Sequence, residues 1–163
     1  MCAAGQAAMG WFAGDSVPQG VQRHAPQALA LIEPGGQSNT FGDLQSRMRA
    51  IARAVRESGI SKDDVVALIL PDGADLIASF LGVCAAAPCA ILNPNLTAGE
   101  MQSVLRGIGA RAMIADPACM AFTNEFAGGC GVKNLKIDGR MAVEEWAAPG
   151  PEEVALVLQT SGT

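Results

Sequence analysis

Thr160, Ser161, Gly162 and Thr163 place three hydroxyls and one glycine directly after the apolar run 154–158 and Gln159. Small hydroxyl residues in a turn bring O–H donors and backbone N–H groups close to an anion, which is what cradling a phosphate requires. The same composition also builds an ordinary surface turn, so spacing alone leaves both readings open. Other candidates are weaker. His24 is the single histidine, so any Ser–His or Cys–His scheme must use it. It sits between Arg23 and Ala25-Pro26 and reads as a solvated or capping residue. Asp63-Asp64 precedes an apolar run and reads as a solvated turn rather than a catalytic pair. Gly14-Asp15-Ser16-Val17 has the form of a hydrolase nucleophile turn, but no convincing strand precedes it and no Asp-x-x-His follows. Neither G-x-G-x-x-G nor GK[ST] occurs.

The elements that must position the hydroxyl cluster are legible in the hydrophobic pattern. Residues 1–26 show no sustained period and read as an irregular lead-in, and 27–163 as one α/β unit. Residues 28–33 and 39–41, joined by Pro34-Gly35-Gly36, predict a small hairpin. Thr40 with Asp43 forms a capping-box pattern, and Leu44, Met48, Ile51, Ala52 and Val55 share one helical face before Gly59. The continuous apolar run 65–70 predicts a strand buried on both sides of a parallel sheet. A helix over 74–86, a strand over 89–92 and a second capping box, Thr97 with Glu100, follow. Met101, Val104, Leu105 and Ile108 then repeat at helical spacing. Strands over 111–115, 135–137 and 154–158 complete the pattern, with a helix over 117–127 and a glycine-rich break at 128–131. Strands alternating with helices predict α/β architecture, a parallel sheet with helices on both faces. In such sheets ligands collect at the carboxyl ends of the strands, which makes the loop after Leu158 the position of interest.

Composition excludes several function classes. Of the 163 residues, 50% are apolar and 17% charged, a globular profile rather than a disordered one. A formal charge of −5 argues against a nucleic-acid surface, which rests on clustered cations. The densest basic stretch, Arg47 to Arg56, falls on the wet side of the first long helix. Five cysteines with no C-x-x-C pair predict free thiols, neither a disulfide framework nor a zinc site, and a cytoplasmic setting. The uncharged run 76–92 approaches the ~20 residues of a membrane span, but Pro88 interrupts it, so no span is expected.

In order along the chain, several segments resemble the AMP-binding, adenylate-forming ligases of the acyl-CoA synthetase type. Val154-Ala155-Leu156-Val157-Leu158-Gln159-Thr160-Ser161-Gly162-Thr163 is similar to the family's phosphate-loop strand and loop start. Thr40-Phe41-Gly42-Asp43-Leu44 resembles its Thr-aromatic-x-x-Leu helix start, and Asp64 to Pro71 its first buried strand and turn. Phe80 to Ala86 with Leu92-Asn93-Pro94-Asn95-Leu96-Thr97 resembles its next helix, strand and turn. The resemblance covers about residues 40–163. It implies an N-terminal subdomain of an enzyme that attacks the α-phosphate of Mg2+-ATP with a carboxylic acid. Pyrophosphate is released, and the acyl group of acyl-AMP passes to a thiol such as CoA. By position, Thr160, Ser161, Gly162 and Thr163 would meet the ATP phosphates, while no catalytic or metal-ligating residue transfers. The loop lysine, adenine contacts, magnesium ligand and catalytic lysine of the family lie beyond the matched motifs. Residues 1–163 alone are therefore expected to be inactive and to self-associate through the final strand. Gln159 stands where the family often has an aromatic residue or His, which leaves the subfamily open. The rival readings are a freestanding α/β binding or regulatory module and an unrelated flavodoxin-like domain.

Overall fold

A computed structural model of the chain describes residues 16–116, 131–137, 149–150 and 153–158. Helix α1 (Val17–Gln22) precedes an antiparallel hairpin of strands β1 (Leu29–Ile32) and β2 (Ser38–Thr40), and helix α2 spans Phe41–Glu57. Next come strand β3 (Val65–Ile69), helix α3 (Ala74–Cys84), strand β4 (Cys89–Ile91) and helix α4 (Ala98–Gly107). Strands β5 (Ala110–Ala115) and β6 (Lys133–Asn134) complete a wholly parallel sheet in the order β4-β3-β5-β6.

The central strand shows why the sheet needs cover on both faces. Val66, Ala67, Leu68 and Ile69 have no exposed surface. Val66 and Leu68 join Met48, Ile51 and Val55 of α2 and Ala78 and Leu81 of α3 in one cluster. Ala67 and Ile69 point to the other face and pack with Met101 and Leu105 of α4. Burying side chains of this size is worth about 1.5–3 kcal/mol each relative to exposure, so the two clusters fix the layer order.

Local chemistry fixes where the helices begin. Thr40 N–H donates to Asp43 Oδ2 at 3.0 Å while Asp43 N–H donates to Thr40 Oγ1 at 3.2 Å, a reciprocal cap at the start of α2. Glu100 accepts from Thr97 N–H at 2.8 Å and starts α4 the same way. Gly59, at φ +79°, ends the first long helical segment in a conformation that side chains with a Cβ avoid. Helices α2 and α3 cross closely at Gly82: a Cβ there would lie 2.6 Å from Ile51 Cβ and 2.9 Å from the Met48 carbonyl oxygen.

Three expectations are corrected. Within the region read as irregular, Val17–Gln22 is helical: Ser16 N–H donates to Gln19 Oε1 at 2.7 Å, closing a capping box that uses Gln instead of Glu. Gln45, buried on α2, donates to Val21 O at 3.0 Å and His24 O at 3.2 Å, tying α2 to the end of α1. The strand expected at 135–137 instead pairs two residues earlier, with Ala112 opposite Lys133 and Met113 opposite Asn134. Residues 154–158 form one parallel bridge, Leu156 to Cys89, and expose Val154 (60%) and Leu158 (72%) rather than burying them. The helix expected over 117–127 lies outside the described residues.

Candidate functional site

The hydroxyl cluster Thr160, Ser161, Gly162 and Thr163 lies outside the described residues, as does Gln159. The segment that leads to it is described. Cys89 N–H donates to Ala155 O at 2.9 Å and Val157 N–H donates to Cys89 O at 2.8 Å, so 155–157 run beside β4 in the direction of all four sheet strands. Lys62 and Glu153 pair at 3.7 Å at the entry of this segment. The parallel direction puts Leu158 at the carboxyl edge of the sheet, the edge where doubly wound sheets hold ligands.

The same edge carries the turns Pro71-Asp72-Gly73, after β3, and Asn93 to Thr97, after β4. Gly73 has φ +150° and stands at the N-cap of α3, where the chain reverses tightly. Asn95 N–H donates to the Asn93 side chain at 2.9 Å and closes the second turn. Glu100 sits below the usual carboxylate range because the Thr97 hydroxyl, and then the Thr97 N–H, donate to it. Its charge is therefore committed to a helix cap.

The remaining sequence candidates have structural roles. Ser16 is the N-cap of α1, and its hydroxyl donates to Gln19 at 3.0 Å. His24 stacks on Phe41 with ring centroids 4.0 Å apart. Asp64 accepts from Ser61 N–H at 2.8 Å, which holds its carboxyl below the usual range, and lies 3.6 Å from Arg111. Cys84 and Cys89 are free and buried; Cys2, Cys119 and Cys130 lie outside the described residues. Among the described residues no group of three or more His, Cys, Asp and Glu could hold a metal ion. None of the described helices is long and apolar enough to cross a membrane.

Sequence reading missed a cleft of about 460 Å³ on the α2 and α3 face of the sheet. It is bounded by the carboxyl ends of β3 and β5 and by residues 134–137. Its walls come from segments up to about ninety positions apart, so no local pattern could have revealed it.

Residues 19–163 match the family described as AMP-binding enzyme. The chain is 32% identical over 151 residues to a 4-chlorobenzoate–CoA ligase of an Arthrobacter species, covering 85% of this chain and 28% of that ligase. A benzoate CoA ligase of Burkholderia xenovorans LB400 superposes with a TM-score of 0.69 at 26% identity, covering 80% of this chain and 29% of the other. The N-terminal subdomain of NpsA from Klebsiella oxytoca matches with a TM-score of 0.75 at 21% identity, over 93% of this chain and 40% of that one. The chain thus spans under a third of the length of the two CoA ligases. With the strand order, the capped helices and the carboxyl-edge approach of residues 155–157, these matches establish that the chain belongs to the AMP-binding enzyme family, with the fold of its N-terminal subdomain.

Proposed function

We propose that the chain is the part of an ATP-dependent carboxylate–thiol ligase that carries the first arm of the ATP phosphate site. The observation that supports this most directly is the direction of residues 155–157, which deliver Leu158 to the carboxyl edge of the sheet just before four residues rich in hydroxyls. In this reading Thr160, Ser161 and Thr163 offer O–H donors to the β- and γ-phosphates of Mg2+-ATP. Gly162 lets the backbone approach closely. A carboxylic acid attacks the α-phosphate, pyrophosphate leaves, and the acyl group of acyl-AMP passes to a thiol such as CoA. The kinship with CoA ligases favours CoA as acceptor and a cytoplasmic setting. The chain's own contribution is position and hydrogen bonding, since this chemistry depends on orientation and on neutralising charge that builds on the phosphates.

The test is carboxylate-dependent exchange of labelled pyrophosphate into ATP, measured on protein extended beyond Thr163 through the remaining domains. Exchange is expected with at least one acid of a panel. The double substitution Thr160→Ala and Ser161→Ala should lower it about 100-fold, the scale of losing positioned donors. Residues 1–163 alone should show none. Exchange by that chain alone, or an extended protein indifferent to the double substitution, would overturn the reading.

A further inference from the structure

Cys84, the last residue of α3, and Cys89, the first of β4, sit in one buried cluster and are joined by the short link 85–88. They are 4% and 0% exposed, and their thiols are hydrogen-bonded to each other. The ligase reading gives neither thiol a task. Yet the hydrogen bonds that hold residues 155–157 on the sheet run, among the described residues, to this pair. The Cys84 thiol donates to Ala155 O at 3.1 Å, Cys89 N–H donates to the same oxygen at 2.9 Å, and Val157 N–H donates to Cys89 O at 2.8 Å. Docking of the segment and the state of the two sulfurs therefore depend on the same atoms.

We propose that Cys84 and Cys89 form a redox switch: as two thiols they hold residues 155–157 against β4, and as a disulfide they loosen that hold. The oxidant is a low-molecular-weight disulfide of the glutathione class. In the minority of molecules whose segment has left β4, the oxidant reaches the pair, and one thiol loses its proton and attacks a sulfur of the oxidant. One glutathione thiolate leaves and takes up that proton. The second protein thiol, deprotonated in turn, attacks the protein sulfur of the mixed disulfide and expels the other glutathione, which takes the second proton. One protein disulfide forms, one small disulfide is cleaved, and two electrons pass to glutathione. The two protein sulfurs draw in from hydrogen-bond contact to about 2.05 Å. Cys84 then has no proton to donate, and Ala155 O loses one of its two donors. The coupling is reciprocal: the factor by which the disulfide weakens docking is the factor by which docking opposes the disulfide. No nucleotide takes part, so the switch stands or falls independently of the phosphate-site reading.

Residues 1–163, at low micromolar concentration, are equilibrated for a day in reduced or in oxidised glutathione, and disulfides are mapped by mass spectrometry of peptides. The oxidised sample should carry a bond between Cys84 and Cys89. Hydrogen exchange read by mass spectrometry should then show the peptide over 153–158 exchanging about 5-fold faster than in the reduced sample, the scale of one lost hydrogen bond. The peptide over 131–137, at the opposite side of the sheet, should keep its rate. Cys89→Ala cannot form the bond and keeps the Cys84 donor, so its 153–158 exchange should be the same in both buffers. Val157→Pro removes the N–H that Cys89 O accepts and should raise the equilibrium constant for the disulfide about 5-fold, because docking no longer opposes it. If Cys89→Ala does not fold, the Val157→Pro comparison decides. Absence of the Cys84 to Cys89 bond in oxidised glutathione, or a bond that leaves 153–158 exchange unchanged, would overturn the proposal. So would an acceleration that persists in Cys89→Ala, or a disulfide constant that Val157→Pro does not move.

Discussion

The thiol of Cys84, at the end of α3, donates a hydrogen bond to the carbonyl oxygen of Ala155 at 3.1 Å. The same oxygen accepts the backbone N–H of Cys89 at 2.9 Å. Two buried cysteines thus grip the segment that leads to the hydroxyl cluster. The thiol of Cys89 is pushed far above the ordinary thiol range by its hydrogen bond with the Cys84 thiol, and further by burial. A neutral thiol is a poor nucleophile. In native protein at pH 8, iodoacetamide should therefore leave Cys89 unmodified, and mass spectrometry should find it alkylated only after unfolding. Rapid labelling of the folded chain would contradict the packing. Cys84→Ala removes a buried donor and some packing and should cost about 1–2 kcal/mol in urea denaturation.

Gly82 is where α2 and α3 cross most tightly, and the effect of Gly82→Ala is a contest between two terms. Alanine gains about 1 kcal/mol of helix propensity. Its Cβ would meet Ile51 Cβ at 2.6 Å and the Met48 carbonyl oxygen at 2.9 Å, neither of which is the free end of a flexible side chain. Overpacking of this kind costs about 1–3 kcal/mol and occasionally more. A net loss of about 2 kcal/mol is expected in equilibrium urea unfolding, with part of it recovered when Ile51→Ala is added. A stabilised Gly82→Ala variant would show that the helices cross less closely.

Acid should weaken the fold through its caps. Asp43 lies below the usual carboxylate range through the hydroxyl and then the N–H of Thr40, Asp64 through the N–H of Ser61, and Glu100 through the hydroxyl of Thr97. A carboxyl whose folded-state pKa is depressed contributes stability that is fully present above its unfolded value and is lost as pH falls through the folded value. The urea midpoint should hold from pH 7 to about 5 and fall between about pH 4.5 and 3. Glu100→Gln should lower the midpoint at pH 7 and leave it nearly native at pH 3. A variant equally destabilised at both pH values would remove the carboxylate from the explanation.

Residues 154–158 hold β4 on one side and present their other side to solvent, with Val154, Leu156 and Leu158 exposed. A strand edge with apolar side chains and open backbone groups pairs readily with another chain. Light scattering at tens of micromolar should show residues 1–163 associating, and Leu156→Lys should suppress it. Association that survives that substitution would point to a different surface.

What the sequence revealed was decided by local chemistry. Thr40 with Asp43 and Thr97 with Glu100 announce helix starts because a cap needs only residues three apart. The run 65–69 announces a doubly covered strand because both its faces are apolar. Leu135 was misleading in a useful way. It is buried and its N–H donates to Met113 O at 2.8 Å, yet the paired residues are Lys133 and Asn134, so pairing begins ahead of the apolar residues that announce the strand. Ser16 with Gln19 was legible in principle, since Gln serves in a capping box as Glu does. The candidate site divides likewise: the hydroxyl cluster is visible as a string, whereas Arg47, Ser79 and Lys136 converge only after three elements have packed.

The strand order also sets a timetable for synthesis. In β4-β3-β5-β6 the earliest strand of the sheet lies inside it, and each later strand adds at an outer position. Residues 155–157 follow these strands in sequence and attach through the backbone of Cys89 and the thiol of Cys84, on a side of β4 that the other described strands leave open. As a nascent chain leaves the ribosome, its central layers can close before this segment appears, because domains fold as units during elongation. Residues 155–157 then dock on a finished platform, and a substitution there should weaken their hold on β4 without slowing the assembly of the sheet beneath them.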